Sequence, residues 1–142
     1  MKLFKIKPVY AHCDVPCGIY ETDTMAHAAT TCKRMVEKYN EIGEVDDESP
    51  ESMNTAIRCV VTKEKHAQKC KDELYLLWSD YFKPEHLEKF PELHDKFWKA
   101  TKQCGAVKQN NSIEECDKLI DMVHEIGHMF QDANGQVSTH TH

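Results

Sequence analysis

A chain of 142 residues and 16.5 kDa is the size of one ordinary domain, large enough to bury a single core without disulfide staples. Its formal net charge of -6 and pI of about 5.8, with acid spread along the chain, argue against nucleic acid or an anionic membrane as the main partner. No apolar run approaches the ~20 residues of a membrane span, and MKLFKIKPVYA is too short and too broken for a secretory signal peptide, so a soluble, cytoplasmic protein is expected.

In chain order, the first informative stretch is YAHCDVPCGIY, residues 10–20, which sets His12, Cys13 and Cys17 close together ahead of any regular element. Residues 24–42 then carry Met25, Ala28, Ala29, Cys32, Met35, Val36 and Tyr39 at helical spacing, with Thr22 or Asp23 as cap and Gly43 as stop. GEVDDESP breaks the pattern. Ser49 as N-cap and Pro50 at the first helical position open a second helix, striped by Met53, Ala56, Ile57, Val60, Val61, Ala67, Cys70, Leu74, Leu77 and Trp78. DYFKPEHLEKFPELH, with its two prolines, reads as an ordered, ring-rich connection holding at most a short turn of helix. A third helix is expected from Pro91 to about Gln103 (Leu93, Phe97, Trp98, Ala100, Thr101), ending at Gly105, with GAVKQNN as loop. Ser112 and Glu115 form a capping box for a fourth, striped by Ile113, Cys116, Leu119, Ile120, Val123, Ile126 and Phe130 and closed by Asn134-Gly135. QVSTHTH is read as a frayed tail. The pattern predicts an all-α fold, an antiparallel up-down four-helix bundle behind the YAHCDVPCGIY segment.

Seven cysteines is an odd count. Cys32, Cys59, Cys70, Cys104 and Cys116 are scattered through helical segments and read as buried free thiols. Cys13 and Cys17 differ. Spaced C-x3-C, their thiolates can reach one ion if the chain turns back between them, and Pro16 suits that turn. A structural zinc site wants four ligands, and no second cysteine pair lies nearby. His12 adds an imidazole, and a cut between Ala11 and His12 would add a free α-amine. With a main-chain amide nitrogen, such an N/S set favours a square-planar ion, nickel or copper. A second candidate is HEIGH, where His124 and His128 share a helix face with Glu125 between them, the H-E-x-x-H pattern of zinc peptidases. It lacks a third ligand at peptidase spacing and a strand-bearing domain to hold a cleft, and reads as a solvated helix face.

HCDVPCGIY resembles the nickel-binding hook of the nickel superoxide dismutase family, whose signature is HCDxPCGxY at the mature N-terminus. LWSDYFKPEHLEKFPELH, residues 77–94, is similar to that family's central block, and IRCVVTKEK, residues 57–65, to its second helix. The resemblance spans residues 12 to about 131 and implies an oxidoreductase that converts superoxide to dioxygen and hydrogen peroxide by Ni(II)/Ni(III) cycling, with one nickel ion per subunit. It implies nickel bound by His12 (α-amine, and imidazole axially), by Cys13 (main-chain nitrogen and thiolate) and by the Cys17 thiolate, with Pro16 as the family's cis-proline. Tyr20 and Tyr81 would line the approach, and Lys83 would lend positive charge for an anionic substrate. It also implies a homohexamer and a leader, residues 1–11, removed by a protease cutting after Ala11, leaving residues 12–142 as one domain with the hook at 12–20. Two departures stand out. The glutamate and arginine that hold the axial imidazole in the family correspond here to Ala28 and His66, leaving His66 or His27 as substitutes. A non-catalytic nickel or copper binder of the same fold is the competing reading.

Overall fold

Ser49 and Pro50 start the longest helix in the way their chemistry dictates. The Ser49 hydroxyl accepts from the Ser52 amide at 3.2 Å, and Pro50 supplies a fixed φ where no amide donor is needed. The computed structural model describes residues 19–45 and 48–135. Its helices are α1 (Asp23–Glu44), α2 (Pro50–Leu76), a one-turn α3 (His86–Lys89), α4 (Leu93–Gln109) and α5 (Ile113–Ala133), and α2 runs on into a π-helical turn, Leu77–Tyr81. Among the described residues there is no strand, and no helix is long and apolar enough to cross a membrane.

The four long helices close a ring in which α1 and α4 each pack against both α2 and α5. Pairs along each seam set the directions. On α1 and α5, Lys33 meets Asp117 at 2.7 Å while Thr22 lies beside Gly127. On α4 and α5, Gln103 meets Glu115 and Lys96 meets Glu125; on α2 and α4, Lys108 donates to Gln68 and Trp78 to His94. Numbers rise on one helix as they fall on its neighbour, so the bundle is antiparallel and up-down, as the sequence predicts. Its core includes Met25, Val36, Leu74, Leu93, Phe97, Leu119 and Ile126, all effectively sealed from solvent.

The boundaries differ from expectation in instructive places. α1 runs through Gly43 to Glu44, and its first turn is capped by Glu21, whose Oε2 accepts from the Thr24 amide at 2.9 Å, while Thr22 makes no side-chain cap bond. α4 does not stop at Gly105. Cys104 and Val107 are both fully buried, and continuing the helix to bury them outweighs the roughly 1 kcal/mol that an interior glycine costs. The expected loop GAVKQNN therefore shrinks to Asn110–Ser112, and Asn110 closes α4 by donating its Nδ2 to the Ala106 carbonyl at 2.9 Å. The Ser112 hydroxyl accepts from the Glu115 amide at 3.3 Å, but the Glu115 carboxylate binds Gln103 and Lys118, giving half of a capping box. At the far end Gly135 takes φ 65, a left-handed conformation suited to glycine.

The α2 stripe also needs correction. Its buried line is Cys59, Lys63, Ala67, Cys70 and Leu74, whereas Met53, Ile57 and Val61 are 61%, 58% and 46% exposed. Lys63 sits inside because its ammonium donates to the Asn110 carbonyl at 2.7 Å and to Asn111 Oδ1 at 2.8 Å, tying α2 to the α4–α5 link. Trp98 and Tyr39 are likewise on the surface.

Candidate metal centre

His12, Cys13, Pro16 and Cys17 lie outside the described residues, as do residues 1–11 and 136–142. The described structure begins at Ile19, where the chain leaves that segment and enters α1. Tyr20 is anchored there: its ring centroid lies 5.3 Å from that of Tyr81, with the planes tilted by 57°. The π turn sets Tyr81 in place. The Phe82 amide donates to the Leu77 carbonyl at 3.0 Å, an i to i+5 bond, and the extra residue turns Phe82 into the core with Tyr81 half-buried beside it. Tyr81 packs on Phe130 at 4.6 Å, on Phe82 at 4.9 Å and flat on His86 at 6.0 Å. Its hydroxyl donates to Asn134 Oδ1. Burial raises the Tyr81 pKa, so the phenol stays neutral and presents no negative charge to an anion.

Lys83 follows directly and is exposed, lining a cleft with Trp78, Pro84, Leu87 and His94. Its backbone amide donates to His86 Nδ1 at 2.9 Å, which fixes that ring's acceptor nitrogen and holds the one-turn α3 in place. The structure thus brings Tyr20 and Tyr81 into contact and puts Lys83 on the loop just after them. Sequence reasoning missed Phe130 and Asn134 as Tyr81's supports. Asn134 read as a helix stop, and nothing local could reveal a partner 53 residues away.

Ala28 is sealed in the core. His66 is half-buried, and its Nδ1 lies 2.9 Å from the Thr62 carbonyl of its own helix, while His27 is exposed on α1. In HEIGH, His124, Glu125 and His128 are all exposed, and Glu125 is held by Lys96 at 2.8 Å, as a solvated face would have it and unlike a peptidase centre. Among the described residues no three His, Cys, Asp or Glu side chains gather to hold a metal ion.

The five other cysteines are free and buried, as expected. Burial pushes the Cys32 thiol up to about 12 and the Cys116 thiol to about 11. A hydrogen bond with Cys104, with burial added, raises Cys70 further. The Cys32 thiol donates to the Lys63 carbonyl at 3.5 Å. Cys32, Cys70 and Cys116 stay protonated at neutral pH and so offer no thiolate to a metal. Cys13, Cys17 and His12 are of residue types that could hold a metal, since two sulfurs with imidazole, amine and amide nitrogens would suit nickel in a square plane.

Comparison with known proteins agrees with that chemistry. The nickel-containing superoxide dismutase family profile matches residues 7–134. A nickel superoxide dismutase of Streptomyces seoulensis is 37% identical over 126 residues, 89% of each chain. One from Streptomyces coelicolor is 34% identical over 122 residues, covering 86% of this chain and 87% of that one. A crystal structure of a nickel-containing superoxide dismutase, in the state after partial X-ray-induced reduction, superposes with a TM-score of 0.77 at 33% identity, covering 87% of this chain and 99% of the other. With the profile spanning most of its length and relatives above a third identical, the chain belongs to the nickel-containing superoxide dismutase family.

Proposed function

We propose that this chain disproportionates superoxide, two superoxide ions and two protons giving dioxygen and hydrogen peroxide, at nickel held by His12, Cys13 and Cys17. Bound nickel supplies a one-electron Ni(II)/Ni(III) couple, which anionic thiolate and deprotonated amide donors stabilise and aqueous nickel lacks at neutral pH. Cys13 and Cys17 give the thiolates, Cys13 its main-chain nitrogen, and His12 its α-amine and imidazole once the chain is cut after Ala11. While residues 1–11 remain attached, His12 offers an amide nitrogen in place of the amine, so the donor set is incomplete. Nickel-loaded, active protein with an intact Met1 end in mass spectrometry would contradict this step.

The observation that carries the reading is the rooting of this donor segment, through Tyr20, on the neutral phenol of Tyr81. In this reading the packed rings of Tyr20 and Tyr81 would line the approach and favour a small diatomic over larger reductants. The Tyr81 hydroxyl is committed to Asn134, which makes it a positioning group. Lys83 adds positive charge to an acidic protein and draws in an anionic substrate. Assembly as a homohexamer belongs to the same reading. It is supported by the apolar line Met53, Ile57 and Val61, one helical turn apart on the outer face of α2, which a neighbouring subunit would cover.

A non-catalytic metal binder is the second reading, favoured by the burial of Ala28 and the turn of His66 towards its own helix, which leave the His12 imidazole without the family's usual partners. An assay of the chain starting at His12, loaded with nickel, separates the two. Dismutation lost in Cys17→Ser supports the enzyme, and stoichiometric nickel without dismutation supports the binder.

A further inference from the structure

HEIGH is the one motif of the sequence that the proposed chemistry leaves unused. His124 and His128 stand one helical turn apart on α5, a spacing that brings their Cβ atoms to about 5–6 Å. Both rings are exposed, and neither has a hydrogen-bond or ionic partner among the described residues. Glu125, between them in sequence, is occupied by Lys96. The two imidazoles border a cleft shared with Thr22, Asp23, Ala26 and Gly127, where α1 begins. A Cβ at Gly127 would lie 3.8 Å from Thr22 Oγ1, an ordinary contact, so α1 and α5 come close at this cleft. The Asp23 carboxylate on the facing wall favours a cation.

We infer that His124 and His128 form a second, exchangeable site for an imidazole-preferring divalent ion of the nickel, copper and zinc group. Two imidazoles on one helix face chelate such ions and discriminate against magnesium and calcium, which prefer oxygen donors. No third side chain of ligating type converges with them among the described residues, so water completes the coordination and the ion leaves readily. The cleft includes Thr22, two residues from Tyr20 at the foot of the opening segment. An ion held here would be a source of metal for the segment that precedes Tyr20 in sequence and carries His12, Cys13 and Cys17. That loading role rests on the function proposed above, whereas the binding itself does not.

Nickel titration of the full chain carrying Cys13→Ser and Cys17→Ser reads the site alone. Adding His124→Ala and His128→Ala is expected to remove one bound equivalent, with helicity unchanged by circular dichroism; the same stoichiometry and affinity in both chains would overturn the site. Should the double variant misfold, nickel protection of His124 and His128 from diethyl pyrocarbonate in the parent chain replaces it. Protection is expected, and its absence overturns the site equally. With the opening segment intact, the histidine variant should take up limiting nickel several-fold more slowly yet reach the same final content in the hook. An unchanged rate would overturn the loading role while leaving the hook untouched.

Discussion

Two groups of cysteines in this chain share a side chain and nothing else. Cys32, Cys70, Cys104 and Cys116 come one from each long helix and are sealed from water; burial raises the pKa values of Cys32 and Cys116, and a hydrogen bond with Cys104, with burial added, raises that of Cys70. Cys13 and Cys17 precede the bundle, on a short segment with proline, glycine and histidine around them. A thiolate is both the metal ligand and the species that peroxide oxidises. Burying these four thiols keeps them away from metal ions and from peroxide, and the raised pKa values of Cys32, Cys70 and Cys116 favour their unreactive protonated form. The bundle is therefore a dry frame, and the proposed function assigns coordination to the segment that precedes it in sequence.

The largest expected effects come from exchanging the damage between the two regions. Cys17→Ser should abolish nickel binding at the opening segment and dismutation, beyond the ~10–100-fold that losing an outer partner of a ligand costs, and leave the melting temperature of the apo chain unchanged. Phe97→Ala should do the reverse, destabilising the bundle by about 3–5 kcal/mol in urea melts while the folded fraction keeps its activity. Next comes Cys70→Ser, which places a hydroxyl where a thiol packs on Cys104 and should cost about 1–3 kcal/mol without changing nickel content.

The core thiols also predict how stability responds to alkali. Their pKa values are raised in the folded state, so the unfolded chain releases these protons first. The stabilisation is fully present below the ordinary thiol value of 9.0 and is lost as pH rises towards the folded values of about 11 to 12. Denaturant midpoints should fall across that window, and a Cys32→Ala, Cys116→Ala chain should show a shallower fall.

How much of this was legible in the sequence depended on the range of the interaction. The four long helices, the Ser49 and Ser112 caps and the buried thiols follow from period and local chemistry, and the structure bears them out. Gly105 misled because its own preference is local, while the burial of Cys104 and Val107 that overrides it is tertiary. Lys63 was passed over in the α2 stripe because a charged side chain breaks an apolar pattern, and only the distant Asn110 and Asn111 make its burial affordable. The motif singles out Tyr81, but its supports at the end of α5, Phe130 and Asn134, are distant in sequence and no local signal reveals them.

Smaller effects sharpen the boundary between frame and centre. Tyr81→Phe removes the bond to Asn134 and should cost at most about 1 kcal/mol, with the ring contact to Tyr20 preserved and activity reduced only modestly. Glu125→Gln frees Lys96 from an exposed ion pair and should leave both activity and the melting temperature within error, which also disposes of a peptidase role.

Nickel K-edge X-ray absorption on the nickel-loaded chain starting at His12 compares the two sets of cysteines most directly. Sulfur scattering from two ligands is predicted, disappearing in Cys13→Ser, Cys17→Ser and persisting in Cys70→Ser, Cys104→Ser. Sulfur ligation that survives loss of Cys13 and Cys17 would contradict the account, because nickel would then be drawing on the thiols of the core.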